Sequence, residues 1–193
     1  MKIACLQFNP IQENTYVVWD NTKACIVIDA GNSNPREDAA LDNFIAEHGL
    51  KPVMAVNTHG HFDHVFGAQF ISDTYHLNPE MCADEVPTYL QAPEQMRMFL
   101  HRDFPLTLPS VGNTFKDGDL ITFGNHQLRV IETPGHTPGG VCFYCEAEKL
   151  IFSGDSLFRH EIGRCDLPGG NESQLIRVLK EKILSLPSDV NVL

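Results

Sequence analysis

Three short apolar runs open the chain, Lys2 to Phe8, Tyr16 to Trp19 and Cys25 to Asp29, each bounded by Asn, Asp or Gly. Runs of this length between turn-forming residues predict strands, and three in succession predict an antiparallel meander. The period then lengthens. Asn34-Pro35-Arg36-Glu37 supplies an N-cap, a proline at the first helical position and an early acid, and Leu41, Phe44, Ile45 and His48 follow at helical spacing before Gly49. That pattern predicts a helix of about three to four turns. Val53 to Val56 reads as a buried strand, and Val65 to Ser72 resumes helical spacing through Phe66, Phe70 and Ile71.

From Asn78 to Pro109 the pattern is irregular, punctuated by Pro79, Pro87, Pro93, Pro105 and Pro109, with helical stretches at Ala83 to Leu90 and Pro93 to Leu100. A lid or flanking wall is the expectation there. Strands return at Ile121 to Phe123, Leu128 to Glu132, Val141 to Tyr144 and Leu150 to Phe152, and Asn171 to Leu184 is a capped amphipathic helix with Leu175, Val178, Leu179 and Ile183 on one face. Asp189 to Leu193 reads as the start of one more strand. Strands, helix, strands and helix again suggest two sheets with helices outside.

The 193 residues, 42% of them hydrophobic and 20% charged, suffice for one substantial core and show no bias toward disorder. A net charge of −11 works against nucleic acid as a partner, because binding the phosphate backbone depends on Lys and Arg displacing counterions. The first ten residues hold no apolar run long enough for a signal peptide, and no later run approaches a membrane span. The expectation is a soluble cytoplasmic protein, with no membrane partner, whose six cysteines stay reduced.

Chemistry concentrates in Thr58-His59-Gly60-His61-Phe62-Asp63-His64, where the buried strand gives way to the next helix. Strand-to-helix loops are where a rigid scaffold can aim several side chains at one point. His59 and His61, one residue apart, fall on the same side of an extended backbone and can grip one ion, while Asp63 and His64 lie further round the turn and face a neighbouring position. The bland alternative is a polar turn. Two later strands end in the same manner. Val130-Ile131-Glu132 runs into Thr133-Pro134-Gly135-His136-Thr137-Pro138-Gly139-Gly140, and Leu150-Ile151-Phe152 runs into Ser153-Gly154-Asp155. Taken singly, a residue like His136 is more often just a turn residue and one like Asp155 more often an N-cap or turn acid. Cys142 and Cys145 carry a C-x-x-C look, yet their odd separation on a strand sends them to opposite faces, which favours core packing over a shared ion. Cys165 is either reactive or buried and inert. His48, His76, His101, His126 and His160 lack ligand spacing, and Arg164 either meets a substrate carboxylate or pairs with Asp166 or Glu161.

Taken together and in this order, His59-x-His61-x-Asp63-His64, Gly135-His136-Thr137 and Gly154-Asp155 resemble the metallo-β-lactamase superfamily over nearly the whole chain. The resemblance implies an α+β fold, a four-layer αβ/βα sandwich of two mixed sheets with helices outside and metals at one edge. By that resemblance His59, His61 and His136 serve a first metal, Asp63 and His64 a second, and Asp155 bridges them. An aspartate at the bridging position is similar to the glyoxalase II type, and Gly163-Arg164-Cys165-Asp166 resembles a segment of small glyoxalase II-like proteins and persulfide dioxygenases. The resemblance also implies a single domain over residues 1–193 that lacks its C-terminal strand and a final histidine turn, since Asn191-Val192-Leu193 stands where that turn is due.

The implied function is hydrolysis of a thioester such as an S-acyl glutathione by water activated at the metal, with Asp63 as catalytic residue and Arg164 as substrate contact. Zn²⁺ in one or two sites is the implied cofactor, with Fe or Mn as alternatives, and the expected assembly is a monomer or homodimer acting on a small molecule. Two rivals stand beside it. One is an iron-dependent oxygenase of the persulfide dioxygenase type using His59, His136 and Asp155. The other is a degenerate metal-binding scaffold without activity.

Overall fold

A computed structural model describes residues 1–100 and 106–193, with only the backbone of Leu100 included; Pro105 and His101, singled out in the sequence, lie outside the described residues. The chain forms β1 (Lys2–Phe8), β2 (Glu13–Trp19), β3 (Ala24–Ile28), α1 (Pro35–Glu47), β4 (Lys51–Val56), α2 (Phe62–Val65), α3 (Ala68–Tyr75) and β5 (Pro79–Cys82). It continues through α4 (Val86–Leu90), α5 (Ala92–Leu100), β6 (Thr114–Phe115), β7 (Leu120–Phe123), β8 (His126–Glu132), β9 (Val141–Cys145), β10 (Leu150–Phe152), α6 (Glu172–Val178) and β11 (Asn191–Val192).

Two mixed sheets result, in the orders β1-β2-β3-β4-β5-β6 and β11-β10-β9-β8-β7. The opening meander is antiparallel as expected, and the first sheet then switches to parallel pairing from β3 onward. In the second sheet β7 to β10 are antiparallel and β11 joins β10 in parallel.

The period-2 alternation of the strands sorts their side chains between layers. Val18, Ile26, Ile28 and Val56 point inward to meet Leu128, Val130, Phe143 and Phe152 of the facing sheet. The residues between them, Val17, Trp19, Cys25 and Val27, turn outward onto Leu41 and Ile45 of α1 and Ile71 of α3. On the far side Ile131, Cys142, Tyr144 and Ile151 pack on Leu175, Leu179 and Ile183. Three apolar seams between four layers make this the αβ/βα sandwich. Asn34 caps α1 by accepting from the amides of Arg36 and Glu37, as its sequence predicts.

Three expectations are corrected. The stretch after Asn78 is not only a wall, because Pro79–Cys82 enters the first sheet beside β4; a proline fits there as the first residue of a strand. The helix expected from Val65 to Ser72 is instead α3, which starts at Ala68 after Gly67, and a separate single turn, α2, precedes it, so Asp63 and His64 stand on a helical turn rather than in open loop. The last long helix is α only to Val178 and then widens into a π turn over Leu179–Ile183, closed by the Leu184 amide donating to the Leu179 carbonyl at 2.8 Å. Cys142 and Cys145 do lie on opposite faces of β9, in different apolar seams. Among the described residues no helix is long and apolar enough to cross a membrane.

Candidate metal centre

The C-terminal ends of β3, β4, β8 and β10 meet at one edge of the sandwich, and each releases polar side chains there. Beyond β4 come His59 and His61, beyond β8 comes His136, and beyond β10 comes Asp155 in a 3₁₀ turn, Gly154–Ser156. The structure brings together all six residues singled out in the sequence. One donor atom each from His59, His61 and His136 lies within 4.8 Å of the others, and His59, His64 and Asp155 form a second such group.

The distances are those of a cation cage. His136 Nε2 lies 3.3 Å from His59 Nε2 and 3.0 Å from His61 Nδ1. A tetrahedral ion with bonds of about 2.0–2.1 Å sets its ligand nitrogens roughly 3.3–3.4 Å apart. Asp155 Oδ2 is 3.5 Å from His136 Nε2, while its Oδ1 is 3.4 Å from His64 Nε2. One carboxylate thus faces both groups. Asp63 Oδ2 stands 3.7 Å from the same His64 nitrogen.

Hydrogen bonds behind the rings fix which nitrogens are bare. His136 Nδ1 is 2.6 Å from the Arg164 carbonyl, which can only accept, so Nδ1 carries the proton and Nε2 presents a lone pair. The Thr58 hydroxyl donates to Asp29 Oδ2 at 2.6 Å and therefore accepts from His59 Nδ1 at 3.1 Å, leaving His59 Nε2 bare as well. Two lone pairs at 3.3 Å repel unless a positive charge sits between them. The donor set therefore fits a metal ion, and its mixture of imidazole and carboxylate without thiolate suits zinc, iron or manganese.

Asp29 and Thr58 are parts of the site that sequence reasoning did not single out. Asp29 accepts from the Thr58 amide at 2.7 Å as well as its hydroxyl, and its Oδ2 is 3.1 Å from His64 Nδ1. The signal was present, since Asp29 ends an apolar strand much as Asp155 does. Buried Glu13 lies behind Asp29, with Oε1 3.9 Å from His64 Nδ1.

Electrostatics divide the histidines. Burial, reinforced by neighbouring imidazoles, holds His59 well below its ordinary pKa and takes His61 down to about 3. Burial also opposes a charge on His64, but Asp63, Asp155 and Asp29 outweigh it and push its pKa well above the ordinary value. Asp155 would be raised by its burial, yet His64, His136 and His61 bring it down to about 2. Burial raises Asp63. In the metal-free protein His59 and His61 are thus neutral and His64 holds a proton at pH 7. The depressed pair withdraws stability as pH falls below about 6.5, whereas His64 contributes stability that is lost as pH rises through its raised pKa. A cation taken up beside His64 must expel that proton. Binding of Zn²⁺ at pH 7 is therefore expected to release about one proton, read from calorimetric titrations in buffers of different ionisation enthalpy. Buffer-independent heats would contradict the assignment.

A groove of about 660 Å³, a size suited to small-molecule ligands, opens beside Asp63, His64 and Asp155 and is walled by Ile11, Tyr16 and Phe158. Arg164 is exposed and forms a two-pronged ion pair with Asp166 at 2.7 and 2.8 Å, and Cys165 is half-buried with its thiol donating to the Gly163 carbonyl. His126 is clamped between Asp20 and Glu148, a structural role away from the centre.

Comparison with known proteins identifies the family. The profile of the metallo-beta-lactamase superfamily matches residues 8–192. A hydroxyacylglutathione hydrolase, GloC of Haemophilus influenzae, is 30% identical over 196 residues, covering 100% of this chain and 89% of its own. The crystal structure of the B3 metallo-beta-lactamase BLEG-1 superposes with a TM-score of 0.89 at 30% identity, covering 99% of this chain and 90% of its own. That of TTHA1623 in a di-iron-bound form gives 0.86 at 32% identity, covering 98% and 90%. With imidazoles and carboxylates gathered where its sheets end, the chain belongs to the metallo-beta-lactamase superfamily of metallo-hydrolases.

Proposed function

We propose that this chain hydrolyses a small-molecule thioester of the S-acyl glutathione kind. The observation that carries the reading is Asp155, whose two oxygens face His136 on one side and His64 on the other. His59, His61, His136 and Asp155 would hold one ion and Asp63, His64 and Asp155 a second. An ion so held, when bound, lowers the pKa of a water from 15.7 towards about 7 and polarises an acyl oxygen.

The chain's own residues do the rest. Asp63, raised by burial and set against His64, orients the attacking water and takes its proton at Oδ2. Tyr16, Ile11 and Phe158 form an apolar wall along which the acyl group lies, excluding bulk water. The exposed Arg164 reaches a substrate carboxylate by exchanging it for Asp166. Thioester hydrolysis is supported by the GloC relative, named for that activity and matched along the whole of this chain and 89% of its own length. All six cysteines are free, in keeping with a reducing cytoplasmic setting, and the acidic surface favours a small molecule over nucleic acid.

One observation favours a second reading. A protein 32% identical to this chain is known in a di-iron-bound form, and two histidines with one carboxylate also suit an iron oxygenase. Protein loaded separately with Zn²⁺ and Fe²⁺ separates the two. The proposal expects saturable cleavage of an S-acyl glutathione without oxygen uptake. Oxygen consumption on glutathione persulfide with no thioester cleavage would replace it by the oxygenase.

A further inference from the structure

Glu85 is fully buried and ends the 3₁₀ turn Ala83–Glu85 that follows β5. Its Oε1 accepts the Gly60 amide at 2.9 Å, and its Oε2 accepts the Gly139 amide at 2.8 Å. Gly60 separates His59 from His61, and Gly139 lies in the turn that begins at His136. The first loop hangs from one sheet and the second from the other, so a single carboxylate ties the two halves of the imidazole cage together.

The approach of the backbones is close on both sides. A Cβ on Gly60 would stand 2.5 Å from the Tyr89 amide nitrogen, and one on Gly139 would stand 2.4 Å from the amide nitrogen of Glu85 itself. Both loops thus press against the segment Ala83–Leu90, and glycine at both places is what allows it. A backbone bond from the Val141 amide to the Thr58 carbonyl, 2.9 Å, spans the same gap. Glu85 belongs to none of the converging donor groups among the described residues, so it does not itself hold an ion.

We propose that Glu85 is a positioning residue: by accepting one amide from each ligand loop, it sets the spacing of His59 and His61 against His136 before any metal arrives. This rests on the metal-centre reading above. A carboxylate suits the task because it offers only acceptors to two donors. Glutamine of the same shape must turn an NH₂ toward one of the two amides, which pushes that loop away.

The test is Glu85→Gln, with Zn²⁺ affinity measured by chelator competition and the absorption spectrum of the Co²⁺-loaded protein as a second readout. Partners that orient metal ligands typically contribute ten- to a hundredfold in affinity, so a loss of at least about tenfold and an altered Co²⁺ spectrum are expected. Unchanged Zn²⁺ affinity and Co²⁺ spectrum, even with a lowered melting temperature, would mark Glu85 as a fold staple only and overturn the proposal alone. Wild-type protein that takes up no Zn²⁺ would overturn the metal-centre reading, and the proposal with it. Should the variant not fold, hydrogen exchange on the metal-free wild type decides. The Gly60 and Gly139 amides are expected to be strongly protected, and fast exchange of either would overturn the proposal.

Discussion

Replacing Asp155 by alanine is expected to lower the proposed thioester turnover on the order of a thousandfold, about 4 kcal/mol of transition-state stabilisation. The size follows from its position. Asp155 alone among the six residues presents one oxygen to His136 and the other to His64, at 3.5 and 3.4 Å. Under the proposed assignment its loss would take a ligand from the first ion and the shared ligand from the second. Asp155→Asn keeps one oxygen acceptor and should retain the first ion more readily than the second. Because Asp63 acts in the same unit, the double replacement Asp63→Ala with Asp155→Ala should be little worse than Asp155→Ala alone. Measured kcat/KM and bound metal per chain check this. The side chain is partly exposed and stands in a turn, so circular dichroism should show the fold retained. Turnover within threefold of wild type would remove Asp155 from the mechanism.

The second large effect is on stability and comes from Asp29. The residue is buried, its carboxylate receives the Thr58 amide and hydroxyl at 2.7 and 2.6 Å, and it faces His64 Nδ1 at 3.1 Å. Asp29→Ala leaves two buried donors without an acceptor and takes away one of the three carboxylates that face the buried His64. Such losses destabilise by roughly 3–5 kcal/mol. Asp29 also stands in the left-handed region at φ 53°, where aspartate and asparagine are tolerated and alanine is strained. A loss of that size is a large part of the 5–15 kcal/mol that holds a typical domain folded. Urea unfolding of the metal-free protein at pH 7 measures it. Asp29→Asn, which keeps the shape and the backbone tolerance, should lose clearly less. A loss below about 1 kcal/mol for Asp29→Ala would mean that the carboxylate is replaceable by water.

The residues that touch the cage were legible in the chain because their chemistry is local. His59, His61, Asp63 and His64 fall in one short window, and His136 and Asp155 each follow an apolar run into a glycine-rich turn. The layers were legible too, since Val17, Val18 and Trp19 alternate between two apolar environments. What escaped the reading depends on distance in the chain. Glu85 acquires its meaning from Gly60 and Gly139, and Asp29 from Thr58 and His64. Nothing in their immediate neighbours announces those partners. Pro79–Cys82 escaped for a different reason: it is a four-residue strand opened by proline, and its pairing with β4 is supplied by the sheet rather than by its own propensity. The separate turn α2 was hidden because Asp63 and His64 look like loop residues, although that one helical turn is what sets Asp63 beside His64 and His64 beside Asp155.

On the proposed reading, His59, His61, His136 and Asp155 enclose the metal ion on which activity depends. Anomalous diffraction from crystals of the Zn²⁺-loaded protein, collected on either side of the zinc edge, tests it most directly. A strong peak is expected between His59 Nε2, His61 Nδ1, His136 Nε2 and Asp155, with any second peak beside His64 and Asp63. A map with no peak among those atoms, from protein that still cleaves the thioester, would contradict that reading.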